Sequence, residues 1–316
     1  MKRIALLTAI GLALAGFAPA RAQTPAPPLL PVVVAPILST DQVSVWYAKQ
    51  QGWFAQAGLD VTIQQVPTGN AALTAVLGGA ATFGYTNPLS LIEAHVKGAP
   101  LQAVAPGVLY RPLVPHAAVL VPGDSTLKTP KDLEGKTIAV AGLHDLLGMS
   151  ILYWMDKNGV DPSKVKFVEI PPATMSAALD QKRVDAIGTY EPFLSAAQVN
   201  GAKLFAKPYD AIGPRFETGV WFANTAWLKD HRDAALAFNR VIVQADQYVN
   251  THYDELVPLI IQVTKLTPET LKTMVKLYTP PSLSAPLFQP VIDAAYKEHE
   301  IATTFNAQDM FFPGVP

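Results

Sequence analysis

The stretch PVVVAPILSTDQVSVWYAKQQGWFAQAGLDVTIQQV, residues 31–66, holds a complete strand–helix–strand unit. Pro31 to Leu38 is a near-continuous apolar run, the pattern of a strand buried on both faces. Gln42 to Gln51 reads as a helix, Gly52-Trp53-Phe54 follows it, and Gly58 stops the chain before a second strand from Asp60 to Val66. Connections this short between strand and helix set the grammar by which the rest of the chain is read.

The same alternation continues downstream. A helix is expected from Asn70 to Leu77, ending at Gly78-Gly79, and a strand from Ala81 to Tyr85. Thr86-Asn87-Pro88 supplies an N-cap and a first-turn proline for a helix reaching about Lys97. A second set follows: strands at 136–141, 164–170 and 184–190, helices at 145–158, 174–181 and 192–199. Repeated βα units of this kind imply doubly wound, mostly parallel sheets. Beyond Gly219 one strand, to Asn224, precedes helices expected at 230–250, 253–264, 268–277 and 290–299. Two proline-broken apolar stretches, Leu101 to Val121 and Lys203 to Phe222, join the two halves and are read as crossovers. They divide the chain into lobe one, 31–110 plus 218–316, and lobe two, 111–217, with a cleft between them.

Upstream, Lys2 and Arg3 precede an apolar run from Ile4 to Ala18, and Ala20-Arg21-Ala22 offers a small-x-small peptidase site. This is the pattern of a secretory signal peptide, residues 1–22, with cleavage expected after Ala22. The run is shorter than the ~20 residues a membrane span needs. Residues 23–30 read as a Pro-rich linker. Export to a periplasm is the expected localisation, where neither ATP nor a nicotinamide pool is at hand.

Composition narrows the chemistry. The chain has no cysteine, which removes thiol catalysis, cysteine-ligated metals and the acceptor for a lipoprotein anchor. Loss of Lys2, Arg3 and Arg21 would take the formal net charge from −1 to −4, and no basic run suits a nucleic acid. The six histidines, at 95, 116, 144, 231, 252 and 299, show no metal-ligand spacing; His299-Glu300-Ile301-Ala302-Thr303 has threonine where a zincin needs its second histidine. No nucleophile elbow, Walker loop or dinucleotide fingerprint is present. No cofactor and no enzymatic activity are expected.

Trp46-Tyr47-Ala48-Lys49-Gln50-Gln51-Gly52-Trp53-Phe54, continuing to Gly58-Leu59-Asp60-Val61, resembles the opening of a family of periplasmic substrate-binding proteins of ABC transporters. That family serves nitrate, taurine, aliphatic sulfonates and thiamine-pyrimidine precursors. Four further matches stand in family order: Leu77 to Gly84, Asp132 to Val140, Val184-Asp185-Ala186 and Tyr190-Glu191-Pro192-Phe193. The resemblance implies a bilobal, type II-like α/β binding-protein fold, two sheets joined by two crossover strands around a central cleft. It implies a monomer that captures a small solute by hinge closure and delivers it to permease subunits. A sensor-kinase partner on the same fold is the alternative; a pyrimidine-precursor synthase or menaquinone-pathway dehydratase is the enzymatic one. Where many sulfonate-type members place Gly-Ser, this chain has Ala141-Gly142-Leu143-His144, so one serine contact to an oxyanion is missing. Ligand classes left open are a sulfonate, a taurine-like zwitterion, a small carboxylate and a nitrogen heterocycle.

In open α/β sheets ligands bind beyond the carboxyl ends of the strands. That rule selects Ser39, Thr40, Asp41 and Gln42; Thr68, Gly69 and Asn70; Thr86 and Asn87; Gly142, Leu143 and His144; and Tyr190 with Glu191. Each set opens a helix, whose free N–H groups and positive dipole end favour an anionic or strongly polar ligand atom, although several of these residues could simply cap their own helices. Arg111 and Arg215, in the two crossovers, could clamp an anion; Arg215 could equally pair with Glu217. Trp46, Tyr85, Tyr110, Tyr190 and Trp221 are candidates for stacking or for core packing, with Trp221 and Tyr190 kept as site residues. Glu191 suits an amine or ring N–H, which points away from a bare anion.

Overall fold

Two five-stranded sheets are built on one pattern in this computed structural model, which describes residues 28–315. The expected signal peptide and most of the expected linker lie outside the described residues. The first half of the chain runs β1 (Leu30–Ala35), α1 (Val43–Gln50), α2 (Trp53–Gln56), β2 (Leu59–Ile63), α3 (Gly69–Leu77), β3 (Phe83–Thr86), α4 (Pro88–Val96) and β4 (Leu101–Pro106). A short β5 (Leu109–Tyr110) leads to β6 (Ala117–Val121), β7 (Thr137–Val140), α5 (Leu146–Lys157), β8 (Lys166–Glu169), α6 (Pro172–Asp180), β9 (Ala186–Tyr190), α7 (Phe193–Val199) and β10 (Lys203–Ala206). The chain returns through β11 (Phe216–Glu217) to β12 (Val220–Asn224) and then α8 (Thr225–Asp230), α9 (Arg232–His252), α10 (Val257–Thr264), α11 (Pro268–Thr273) and α12 (Ala285–Lys297).

The first sheet has the order β2-β1-β3-β12-β4 and the second, read from its other edge, β8-β7-β9-β6-β10. In each, three strands linked by βα units pair in parallel, and one strand from elsewhere in the chain, β12 or β6, runs antiparallel between its neighbours. The bilobal α/β fold read from the sequence is therefore present, with one reversed strand per sheet. β5 and β11 pair antiparallel through Phe216–Tyr110 and Glu217–Leu109, so the two crossovers meet as a two-stranded ribbon.

Each sheet is covered on both faces, which is why its strands read as apolar runs rather than as alternation. In the first, Val32, Val34, Phe83 and Trp221 pack against Phe54 and the α9 residues Phe238 and Ile242. Ala35 and Phe222 join the other cluster, with Ala72, Val76 and Leu91 of α3 and α4. In the second, Ala118, Leu120, Ala139 and Ile187 meet Met175 and Leu179 of α6 and Leu194 of α7, whereas Ile138, Val140 and Ala186 belong with Met149 and Ile151 of α5. A polar tie crosses one core: the buried Asn239 Nδ2 of α9 donates to the Val104 carbonyl of β4 at 2.7 Å.

Several boundaries shift from the sequence reading, each for a local reason. β1 stops at Ala35, because Pro36 has no N–H with which to extend the ladder. The helix expected at 230–250 is α9, Arg232–His252, and the short α8 before it is unexpected; the two part at His231, whose φ of −129° leaves helical space. α11 ends at Thr273 rather than Leu277. The last helix begins at Ala285 and carries Pro290 inside it; burial of Phe288, Val291, Ile292 and Ala295 on one face outweighs the lost backbone hydrogen bond.

Candidate functional site

The carboxyl ends of six parallel strands, three from each sheet, face one cavity of about 340 Å³. From the first sheet come Ser39 and Asp41 after β1, Thr68, Gly69 and Asn70 after β2, and Tyr85 and Asn87 at the end of β3. From the second come Gly142 and Asp145 after β7, Glu169 ending β8, and Tyr190 and Glu191 ending β9. Val108 and Thr218 of the crossovers, His116 before β6, and Tyr209 and Leu277 complete much of the wall.

Helix capping and cavity lining coincide here. Thr68 Oγ1 accepts the Ala71 N–H at 3.2 Å and opens α3; Asn87 Oδ1 accepts the Ser90 N–H at 3.0 Å and opens α4. Asp145 Oδ1 accepts the Gly148 N–H at 2.7 Å and opens α5. Glu191 takes the Ser195 N–H at 3.1 Å and the Ser195 hydroxyl at 2.7 Å at the start of α7. The caps hold these side chains at the strand ends, so the backbone geometry that ends each strand also aims a polar group at the cavity. Gly69 is needed where it stands, since a Cβ there would meet the Cα of Thr86 at 3.0 Å.

Other residues picked from the sequence lie off the wall. Thr40, Gln42 and Thr86 are buried behind it, and Gln42 Nε2 donates to Asp41 Oδ2 at 2.7 Å. Leu143 and His144 turn to a separate, smaller cavity, where His144 Nδ1 pairs with Glu300 at 2.9 Å; the Leu143 N–H reaches Glu169 Oε1 at 2.9 Å. The Arg111 guanidinium lies over the Tyr278 ring, 4.8 Å from its centroid. Arg215 is exposed, and Glu217 is fully buried, so the pair weighed between them is not made. Trp221 is 1% exposed and packs edge-on to Phe238 at 5.6 Å.

The cavity also takes residues that the sequence reading missed. Glu169 and Asp145 follow strand ends and could have been found by the rule that found Gly142. His116 and Tyr209 carry no such signal; the crossovers bring them in.

A family model described as NMT1/THI5 like matches residues 39–255, which contains nearly all of this wall. The chain belongs to the NMT1/THI5-like family. A Bacillus subtilis (strain 168) protein named as an aliphatic sulfonates-binding protein is 23% identical over 236 residues, 72% of this chain and 69% of that one. Among solved structures, the alkanesulfonate-binding protein SsuA from Xanthomonas axonopodis pv. citri, bound to MOPS, superposes with a TM-score of 0.74 at 21% identity, covering 91% of this chain and 99% of that one. A DSZB mutant in complex with biphenyl-2-sulfinic acid has a TM-score of 0.66 at 13% identity, covering 90% and 96%. These likenesses establish the periplasmic-binding-protein fold; they do not carry one chemistry with it.

The electrostatics of this NMT1/THI5-like cavity are one-sided. Asp41, Asp145, Glu169 and Glu191 line it, and among the described residues no lysine or arginine does. Burial pushes the Asp145 carboxyl up to about 6, an effect opposed by backbone N–H groups and reinforced by the charge of Glu169. Burial also raises Glu191, 2% exposed, against the pull of its Ser195 hydrogen bonds. His116 moves the other way: burial, aided by the Arg111 charge, lowers it to about 4, so its ring is neutral at pH 7. Tyr190 and Tyr209 are both raised by burial and then by Asp145. Among the described residues no three acidic or histidine side chains converge to hold a metal ion.

Proposed function

We propose that this chain is the solute-binding component of an ABC importer, exported to the periplasm and capturing a small polar organic solute between its lobes. The observation that carries the proposal is the cavity lined by the carboxyl ends of strands from both sheets. A ligand held there makes contacts with both lobes at once, and such contacts exist in full only when the lobes are closed. Closure would turn on the β5–β11 ribbon, with lobe one as 31–110 plus 218–316 and lobe two as 111–217. The closed form is the one a permease would recognise.

Binding without turnover is part of the proposal. The wall offers carboxylates, neutral tyrosines and a neutral histidine. The chain has no cysteine, and the Thr218 hydroxyl that His116 contacts is turned to the Val108 carbonyl. The test is native mass spectrometry of protein purified from its own periplasm, with the released molecule identified. A stoichiometric, chemically unaltered solute is expected, and permease and ATPase genes beside this one. Recovery of a product-like fragment after incubation with that solute would put the enzymatic alternative first.

A further inference from the structure

From the chemistry of this wall we infer that the solute is a small organic cation, an amine or amidinium, whose nitrogen is held against Asp145 and Glu169 among the tyrosine rings. The inference rests on the solute-binding reading above and narrows it.

Three independent observations converge. The first is charge: four carboxylates line the cavity and, among the described residues, no lysine or arginine does, and Glu169 stands close enough for its charge to act on Asp145. Such a wall repels an anion and is relieved by a cation placed between its carboxylates. Glu169 spends one oxygen, Oε1, on the Leu143 N–H, and Oε2 takes no hydrogen bond from the described residues.

The second is a bare acceptor. The Thr218 hydroxyl donates to the Val108 carbonyl at 3.1 Å, so its 2.9 Å contact with His116 Nε2 is accepted from Nε2–H. That assigns the neutral tautomer with the proton on Nε2 and leaves Nδ1 a lone-pair acceptor without a partner among the described residues. His116 is 7% exposed and lines the cavity, where a ligand N–H would supply the partner for this nitrogen.

The third is the rings. Tyr85, Tyr190 and Tyr209 all line the cavity, and the Tyr209 hydroxyl, on a residue 5% exposed, makes no hydrogen bond to the described residues. Aromatic faces beside carboxylates recognise organic cations through ring quadrupole and charge together. A metal ion is the wrong cation, because the acidic groups among the described residues do not converge on one point.

The experiment is thermal shift and isothermal titration on the full exported protein, freed of endogenous solute by denaturation and refolding. Agmatine and benzamidine are the cationic probes; ethanesulfonate and nitrate are the anionic ones. Binding of either cation, weakened roughly tenfold or more in both E169Q and D145N, is the expected result. Asn at 145 still caps α5, and Glu169 is exposed, so one variant at least keeps the fold. Binding of an anion with no response to either cation overturns the cation assignment and leaves the solute-binding reading intact. If neither pair binds, the molecule released from protein isolated from its own host decides: a cationic nitrogen compound upholds the assignment, and a solute without one overturns it. A protein empty in that assay and silent to all four probes overturns the solute-binding reading itself.

Discussion

The Tyr85 hydroxyl donates to Asp41 Oδ2 across 3.0 Å and accepts the Val108 N–H at 3.3 Å, so one phenol ties the cavity floor to the first crossover. It is seated between two crossover glycines: a Cβ at Gly107 would lie 2.8 Å from the hydroxyl oxygen, and one at Gly219 would overlap it. Sheet, cleft and crossover ribbon are thus joined at one buried oxygen. Any relative movement of the lobes has to respect that junction.

Replacing the phenol tests its contribution. Y85F leaves the Val108 N–H without its acceptor and Asp41 with one donor fewer. A loss of about 1–2 kcal/mol of stability is expected, read as a lower urea midpoint at unchanged slope. An unchanged midpoint would mean that water replaces the hydroxyl at no cost.

Gly219 should tolerate no side chain. G219A is expected to lower the melting temperature more than Y85F does. The Y85F/G219A double variant should not recover, because the ring Cζ would still lie 2.5 Å from the added Cβ. Calorimetry on the three variants decides it; recovery in the double variant would place the whole clash on the hydroxyl.

His116 makes the fold acid-sensitive in a defined window. Its folded value of about 4 lies below the ordinary 6.5, so between these the unfolded chain binds a proton that the native state refuses. The stability it confers is present above pH 6.5 and is lost as pH falls toward 4. The rings that face it, Tyr110 and Tyr209, are raised by burial and do not titrate there. Relative to H116Q, the wild type should lose about 3 kcal/mol across the window, read from denaturation at several pH values. A pH-independent difference between the two proteins would show that the ring protonates freely.

Glu217 is expected to give the opposite slope. It is 0% exposed in the β11 strand, has no hydrogen-bond partner for either oxygen among the described residues, and is raised well above its ordinary value by burial. The backbone N–H groups of Gly107 and Ser284 oppose that rise only in part. The native state holds a proton there that the unfolded chain releases, so stability falls as pH rises above the usual carboxylate range. E217Q, neutral throughout, should gain on the wild type as pH rises above the usual carboxylate range in the same denaturation assay. An advantage that shrinks with rising pH would contradict a protonated native carboxyl.

Much of this architecture was legible in residues 31–224, because βα units write themselves in local terms. An apolar run such as Val32 to Val34 must be covered on both faces, and Asn87-Pro88 ahead of an apolar stretch favours a helix start. The rule that ligands sit past strand ends follows from the same parallel geometry, and it led directly to Asp41, Asn70, Asn87, Gly142, Tyr190 and Glu191 on the cavity wall.

What the sequence by itself determined is therefore the order of elements, the two-sheet class and the strand ends that face the cavity, since each depends on neighbours a few residues apart. Only the tertiary structure decided which residues share the cavity. Asp145 and Glu169 lie on separate βα units of the second sheet, and His116 and Thr218 are partners across 102 positions. Whether Glu217 meets Arg215 or is sealed without a charge depends on where α12 and the β5–β11 ribbon close over it. Charge balance in a cavity is a sum over such long-range neighbours, and no local pattern records it.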